Sequence, residues 1–265
     1  MRVRRVLLAV GVAFGLVAAP GRAQQARIAD RVAALRDGVL ELRFPARPGI
    51  CGDGKSYIRS GEHTRFGSWS SGERERPCVP GPVRVALSVA NGEVRHARAY
   101  VGPPVPGSSD EVLETSAVEA SQYLLALARR SGSRAGDDLV FGAVLGEKVV
   151  AWPALLEIAR AKRSRGSKGH QAAIFWLGRY ASAKTAGSDD PFDEFDDEGA
   201  TGDDDLKEHA VFLLSQLKDR EGVDALIGIA RTNPDPHVRS KAIFWLGESG
   251  DPRAIDVFEE ILRGR

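Results

Sequence analysis

The sequence predicts an α+β protein: a small disulfide-stapled β unit followed by an α-solenoid of stacked helical hairpins. Three observations predict it. Apolar residues alternate with period two before residue 107 and recur with a period near 3.6 after it. A hexapeptide repeats within the second half. Both cysteines, Cys51 and Cys78, fall in the first half.

The chain opens with Arg2, Arg4 and Arg5, then an unbroken apolar run from Val6 to Ala19 that Pro20 ends. Gly21-Arg22-Ala23 supplies the small residues of a cleavage site. Residues 1–23 therefore read as a secretory signal peptide, too short for a mature transmembrane helix. The expectation is a periplasmic or secreted chain starting near Gln24, with no membrane span and no lipidated cysteine after the run. Losing Arg2, Arg4, Arg5 and Arg22 moves the formal charge from +1 to −3, which gives no electrostatic case for nucleic acid.

Residues 24–107 form the expected β unit. A helical turn at Ala26–Leu35 precedes Val39–Phe44, where apolar and charged residues alternate as in a half-buried strand. Val83–Val89 and Glu93–Val101 are two further strands, joined by Asn91-Gly92, the pair that a type I′ hairpin turn needs. Pro45–Pro82 is dense in Gly, Ser, Arg and Pro and holds both cysteines. In an oxidising compartment they read as one disulfide, which stabilises by about 3 kcal/mol in the chain-entropy model and substitutes for a core this stretch cannot build.

Gly102–Ser109 has linker composition, and residues 108–265 change period. Ser116 and Glu119 make a capping box, after which Val118, Leu124, Leu125 and Ala128 line one face. Further helices are expected at Asp138–Leu145 and Trp152–Lys162, with Pro153 in the first turn.

Internal repetition is the strongest signal. "AIFWLG" occurs at Ala173–Gly178 and at Ala242–Gly247, and "AVFLLS" at Ala210–Ser215 lies 32 residues before the latter. That offset continues without a gap, pairing Asp219 with Asp251, Val223 with Ile255, Leu226 with Phe258 and Ile229 with Ile261. Each unit reads as two helices. Val238, Ala242, Trp245, Leu246 and Ser249 form one stripe; Gly250 ends the helix; Asp251-Pro252 starts the next, which buries Ile255, Phe258, Ile261 and Leu262. One hairpin cannot cover its own apolar face, so stacked neighbours must form the core.

The run HVRSKAIFWLGESGDPRAIDVFEEIL resembles a HEAT repeat of the short, phycobilisome-lyase-type variety. Val238, Arg239, Ala242, Leu246-Gly247 and the Gly250-Asp251-Pro252 turn carry the resemblance, which is specific for Gly169–Arg265 and weaker for Ser116–Lys168. The whole chain is similar to bacterial exported HEAT repeat proteins. The resemblance implies four to five helical hairpins forming a scaffold that binds a protein partner. Some relatives handle bilin chromophores, but no residue here carries that activity over.

Several motifs point elsewhere and are outweighed. Gly49–Ser56 matches the phosphate-loop pattern GxxxxGK[ST], but Pro45 and Pro48 precede it and Ser60-Gly61 follows, where the chemistry needs a strand and a helix. The acidic insertion 188–205 holds eight Asp and two Glu without the alternation of a calcium loop, so it reads as solvated, with Gly199–Asp205 disordered. Arg160, Lys162, Arg163, Arg165 and Lys168 form a basic cluster that reads as a solvated turn or a counter-charge to that insertion. His63, His96, His170, His209 and His237 show no metal spacing, and no nucleophile elbow occurs, so no metal, cofactor or catalytic residue is expected. Trp176 and Trp245 recur at one repeat position and read as core.

The functional expectation is an exported, non-enzymatic scaffold. Its contact surface is placed on polar positions between the stripes: Glu208, His209, Arg239 and Lys241. The alternative is an envelope enzyme or chromophore-handling factor using the loop around Lys55, His63 and Trp69, which a convergent pocket beside that loop would favour.

Overall fold

The computed structural model describes residues 20–58, 78–130, 135–161, 167–193, 202–217 and 220–264, with backbone alone for 20–26, 202–206, 208 and 220. The apolar run Val6–Ala19, His63 and Trp69 lie outside the described residues, as do Lys162, Arg163 and Arg165. Helix α1 (Pro20–Leu35) leads into β1 (Gly38–Phe44), then the short pair β2 (Cys51–Gly52) and β3 (Val79–Pro80). Strands β4 (Val83–Ala90), β5 (Glu93–Val101) and β6 (Glu111–Glu114) follow. Helices α2 (Ala117–Arg130), α3 (Gly136–Val144), α4 (Trp152–Arg160), α5 (Lys168–Thr185), α6 (Gly202–Ser215), α7 (Arg220–Thr232), α8 (Pro236–Ser249) and α9 (Ala254–Leu262) complete the chain.

The sheet order is β5-β4-β1-β6. β4 pairs antiparallel with both β1 and β5, while β6 runs parallel to β1. Asn91 and Gly92 take φ of 55° and 74°, the left-handed pair that lets the β4–β5 turn follow the strand twist. β6 escapes the sequence reading because its four residues, Glu-Val-Leu-Glu, carry no period and follow a proline-rich stretch. Alternation splits the sheet into two faces. Leu40, Leu42, Phe44, Val83, Val85, Leu87, Ala97, Ala99 and Val101 are buried on one, under α2 and α3. Glu41, Arg43, Arg84, Arg98 and Tyr100 populate the other.

The capping box forms as expected: Glu119 N–H donates to Ser116 Oγ at 3.2 Å and Ser116 N–H to the Glu119 carboxylate at 3.1 Å. These bonds outweigh the desolvation of Glu119 and hold its carboxyl below the usual range. Val118 does not join the buried face; it is exposed, and Ala117, Ala120, Ser121 and Tyr123 pack inward beside Leu124, Leu125 and Ala128. Gly250 ends α8 with φ of 61°, and the Asp251 carboxylate accepts from Arg253 N–H at 2.9 Å, opening α9. α6 begins at Gly202, inside the stretch expected to be disordered. Asp190-Pro191 lies in a turn, and Phe192 packs on Trp176 at 4.9 Å.

Two features of the packing depart from the sequence expectation. The linker composition at Gly102–Ser109 does not separate two cores; one continuous apolar cluster runs from Ile28 to Leu262. Arg47, nearly buried, joins the halves: its Nε donates to Val144 O at 2.9 Å and its Nη2 to Val149 O and to Tyr180 Oη at 3.1 Å. The second departure concerns neighbour-only stacking. α5 and α8, which carry the two AIFWLG copies, pack directly against each other and run antiparallel. Gly178 meets Gly247 at their crossing, and Ser182 Oγ lies 2.8 Å from Ser240 Oγ. A Cβ on Gly178 would stand 2.6 Å from Gly247 Cα, so only glycine permits this approach. At the aligned positions α6 has Ser215 for Gly247 and Glu208 for Ser240, and it cannot repeat the crossing.

Candidate functional site

The residues expected to form a contact surface are not brought together as one free face. Arg239 is half-buried and its Nη1 donates to the carbonyls of Asn233 and Pro234 at 2.8 and 3.0 Å, so it braces the α7–α8 connection. Lys241 is half-buried and engaged. His209 is exposed on α6, its ring 6.1 Å from that of Phe212. Glu208 lies on α6, and its side chain is outside the description. His237 is exposed, as expected at a helix start, whereas His170 is buried.

What α6 does expose is apolar. Phe212, Leu213 and Leu217 are 36%, 53% and 51% exposed, and only Val211 of this segment is fully buried. The aligned partners of the first two fare differently: Phe244 and Trp245 are half-buried, while Ser249, aligned with Leu217, is exposed as well. Phe212 stacks on Trp245 at 5.2 Å, so the exposed strip continues the packed one. The sequence reading paired this copy with the last one and did not single these residues out. The signal that could have found them is the loss of the small residues at 208 and 215.

A second concavity, of about 370 Å³, lies where the N-terminal turns of α3 and α5 meet the end of α8, lined by Asp137, Lys168, Gln171, Phe175 and Glu248–Gly250. Burial, reinforced by Asp138 and opposed by Lys168, pushes the Asp137 carboxyl up to about 6.

The third feature sits on the polar face of the sheet. Glu41 and Arg84 are 1% and 2% exposed and face each other at 3.3 Å, and Arg43 closes on the same Glu41 carboxylate. Arg84 Nη1 donates to Gly54 O at 3.0 Å and Pro103 O at 2.9 Å, holding down two loops, and its guanidinium lies over Tyr100 at 5.4 Å. A cleft of about 180 Å³ opens there, lined by Glu41, Gly54, Lys55, Arg84, Ala86, Tyr100, Val105 and Ser108. Its roof is the Gly49–Ser56 loop. Cys51 and Cys78 stand at disulfide distance, Cα–Cα 5.0 Å, across the β2–β3 pair. The backbone N–H groups that a phosphate loop would turn outward are committed inward: Lys55 and Ser56 donate to the Asp53 carboxylate at 2.8 and 2.7 Å, and Gly54 to Val101 O at 2.9 Å. Among the described residues no cluster of three His, Cys, Asp or Glu is arranged to hold a metal, and no helix is long and apolar enough to cross a membrane.

No curated protein and no solved structure matches this chain. Residues 199–265, which span α6 to α9, match the family model of HEAT repeats, so this part of the chain is a HEAT-repeat domain.

Proposed function

We propose that the protein is an exported scaffold that holds a protein partner on the exposed apolar strip of α6. HEAT repeats generally mediate protein–protein contact, and the strip lies inside the matched region. The observation that carries the reading is the exposure of Phe212 and Leu213 where the aligned Phe244 and Trp245 of α8 are half-buried, with Leu217 exposed one turn further on. Eight Asp and two Glu between Ser188 and Asp205 precede that strip, so the complementary partner is a segment with an apolar face and a basic flank. This surface involves binding without bond-making chemistry, and the reading is non-enzymatic. Export rests on the Arg2–Ala23 pattern, and N-terminal sequencing from the envelope fraction should find the chain starting near Gln24. An intact Met1 in the cytoplasm contradicts it.

The binding test is Leu213→Asp with Leu217→Asp. Both side chains are exposed, so the melting temperature should barely move, within about 0.5 kcal/mol of stability per site. Capture of a basic-flanked partner from the envelope should be lost and, in the parent protein, should weaken with salt. Unchanged capture in the folded variant refutes the α6 surface, and a dimer of the purified chain that this variant dissolves assigns the strip to self-association instead. A second reading, a small-molecule site in the N-terminal half, is favoured by one observation: a convergent charged cleft lies beside Lys55.

A further inference from the structure

We infer that the cleft on the polar sheet face binds a small organic carboxylate, its head group between Lys55 and Arg84 and its apolar body against Val105, Ala86 and the Tyr100 ring. The inference stands independently of the partner surface on α6. Its starting point is a charge where a sheet of this size does not need one. Arg84 is the bulkiest fully buried side chain among the described residues and is the second residue of β4, beside a carboxylate that is buried as deeply. Taking both out of water is unfavourable, and an apolar pair would cover the sheet without that penalty. The pair is also incomplete. Arg84 Nε is buried 3.3 Å from Glu41 without closing a hydrogen bond, as sites that tighten around a ligand often are before it arrives.

Of the charged residues lining the cleft two are cations, Lys55 and Arg84, and one is a carboxylate, Glu41; the Asp53 carboxylate of the same loop is turned onto the Lys55 and Ser56 N–H groups. Glu41 is shared between Arg43 and Arg84, and Lys55 adds a further cation at the rim. The Glu114 carboxylate, 73% exposed and 3.7 Å from Arg43, offsets little. An anion is the complementary ligand. Its class follows from the rest of the lining. Ser108 Oγ donates to Glu41 at 3.3 Å, while Ala86, Val105 and the ring of Tyr100 give the cleft an apolar side that a compact inorganic oxyanion would leave uncovered. At about 180 Å³ the space equals the liquid volume of about six waters, which suits a short-chain acid.

The roof is shaped for this and not merely loose. Gly54 takes φ of 70°, and a Cβ there would stand 2.1 Å from Pro103 O, so the loop lies flat on its neighbour and only the Lys55 side chain reaches the rim. The wall carrying Val105 and Ser108 belongs to the stretch whose composition reads as a linker.

The test is titration of the full, oxidised chain with butyrate, followed by amide shifts, with inorganic phosphate as the comparison probe. Saturable shifts confined to Gly54, Lys55, Tyr100 and Ser108 are expected, with phosphate at least about tenfold weaker. Lys55→Ala should weaken butyrate by about tenfold and Lys55→Arg should restore most of it. Val105→Asp, at a half-buried wall position, should abolish binding while near-ultraviolet dichroism stays native. Lys55 is exposed, so its variants fold and decide the matter even if Val105→Asp does not. Absence of saturable shifts, indifference to Lys55→Ala, or equal affinity for phosphate each overturns the proposal.

Discussion

Helices α6 and α8 carry one pattern in register, yet they bury it differently. Val211 and Ile243 are both sequestered, but Leu246 is fully buried where Leu214 is only half-buried, and Trp245 is half-buried where Leu213 is 53% exposed. The patterning is equally apolar in both. The difference lies in what covers them: α8 lies under α5 through the glycine and serine crossing, and among the described residues α6 packs mainly on α7 and α8. A repeat alignment therefore transmits which residues are apolar, not which are covered. Coverage depends on whether a second helix can come close enough, and that is set by two small side chains.

The largest effect expected is in the covered copy. Leu246→Ala, fully buried, should cost about 3–5 kcal/mol through lost burial and cavity formation, whereas Leu214→Ala should cost about 1–2. Denaturant unfolding checks both, and equal losses would erase the comparison. The crossing itself comes next. Gly178→Ala should destabilise by about 1–3 kcal/mol, because the new methyl meets backbone, outweighing the about 0.5–1 kcal/mol that alanine gains in a helix. Ser215→Ala, at the corresponding place in α6, should be neutral or slightly stabilising. If Gly178→Ala stabilises, close approach is not what distinguishes the two helices.

A smaller, pH-dependent effect belongs to Asp137, beside the α5–α8 crossing. Its folded-state carboxyl is raised from 3.8 to about 6, so the native protein binds this proton more readily than the unfolded chain. The stabilising contribution is full below about pH 4 and is lost as pH rises through 6. Asp137→Asn should therefore raise stability at pH 7.5 by about 1–2 kcal/mol, discounted for partial solvent access, and leave it unchanged near pH 4. Equal melting temperatures at pH 7.5 would show that Lys168 and the positive end of α3 compensate fully.

Other contrasts between pattern and placement follow the same logic. Arg160, from a cluster expected to be solvated or to face the acidic insertion, instead reaches Asp256 and Glu259 on α9, a helix 96 residues later. Arg47 falls in a loop whose composition suggests no structural role, and its side chain ties that loop to Val144 and Tyr180 of the helical half. Arg239, chosen as a surface contact because it falls between stripe residues, proves to be a brace. Long cationic side chains reach well beyond their own element, so period alone does not say what they touch.

By itself the sequence determined the local structure: the hairpin at Asn91-Gly92, the capping box at Ser116 and Glu119, the end of α8 at Gly250, the cysteine pairing distance and the repeat that the HEAT match covers. These follow from interactions within a few residues, or from the choice of only two cysteines. Tertiary structure alone decided the rest. It merged two expected units into one core, set two distant copies antiparallel, left Leu213 and Leu217 outside, and brought Glu41, Lys55, Arg84 and Ser108 around one cleft. Those outcomes turn on side chains 40 to 70 positions apart meeting within a few ångströms. No period or motif records such distances; they are set when helices and loops compete to cover the same apolar surface.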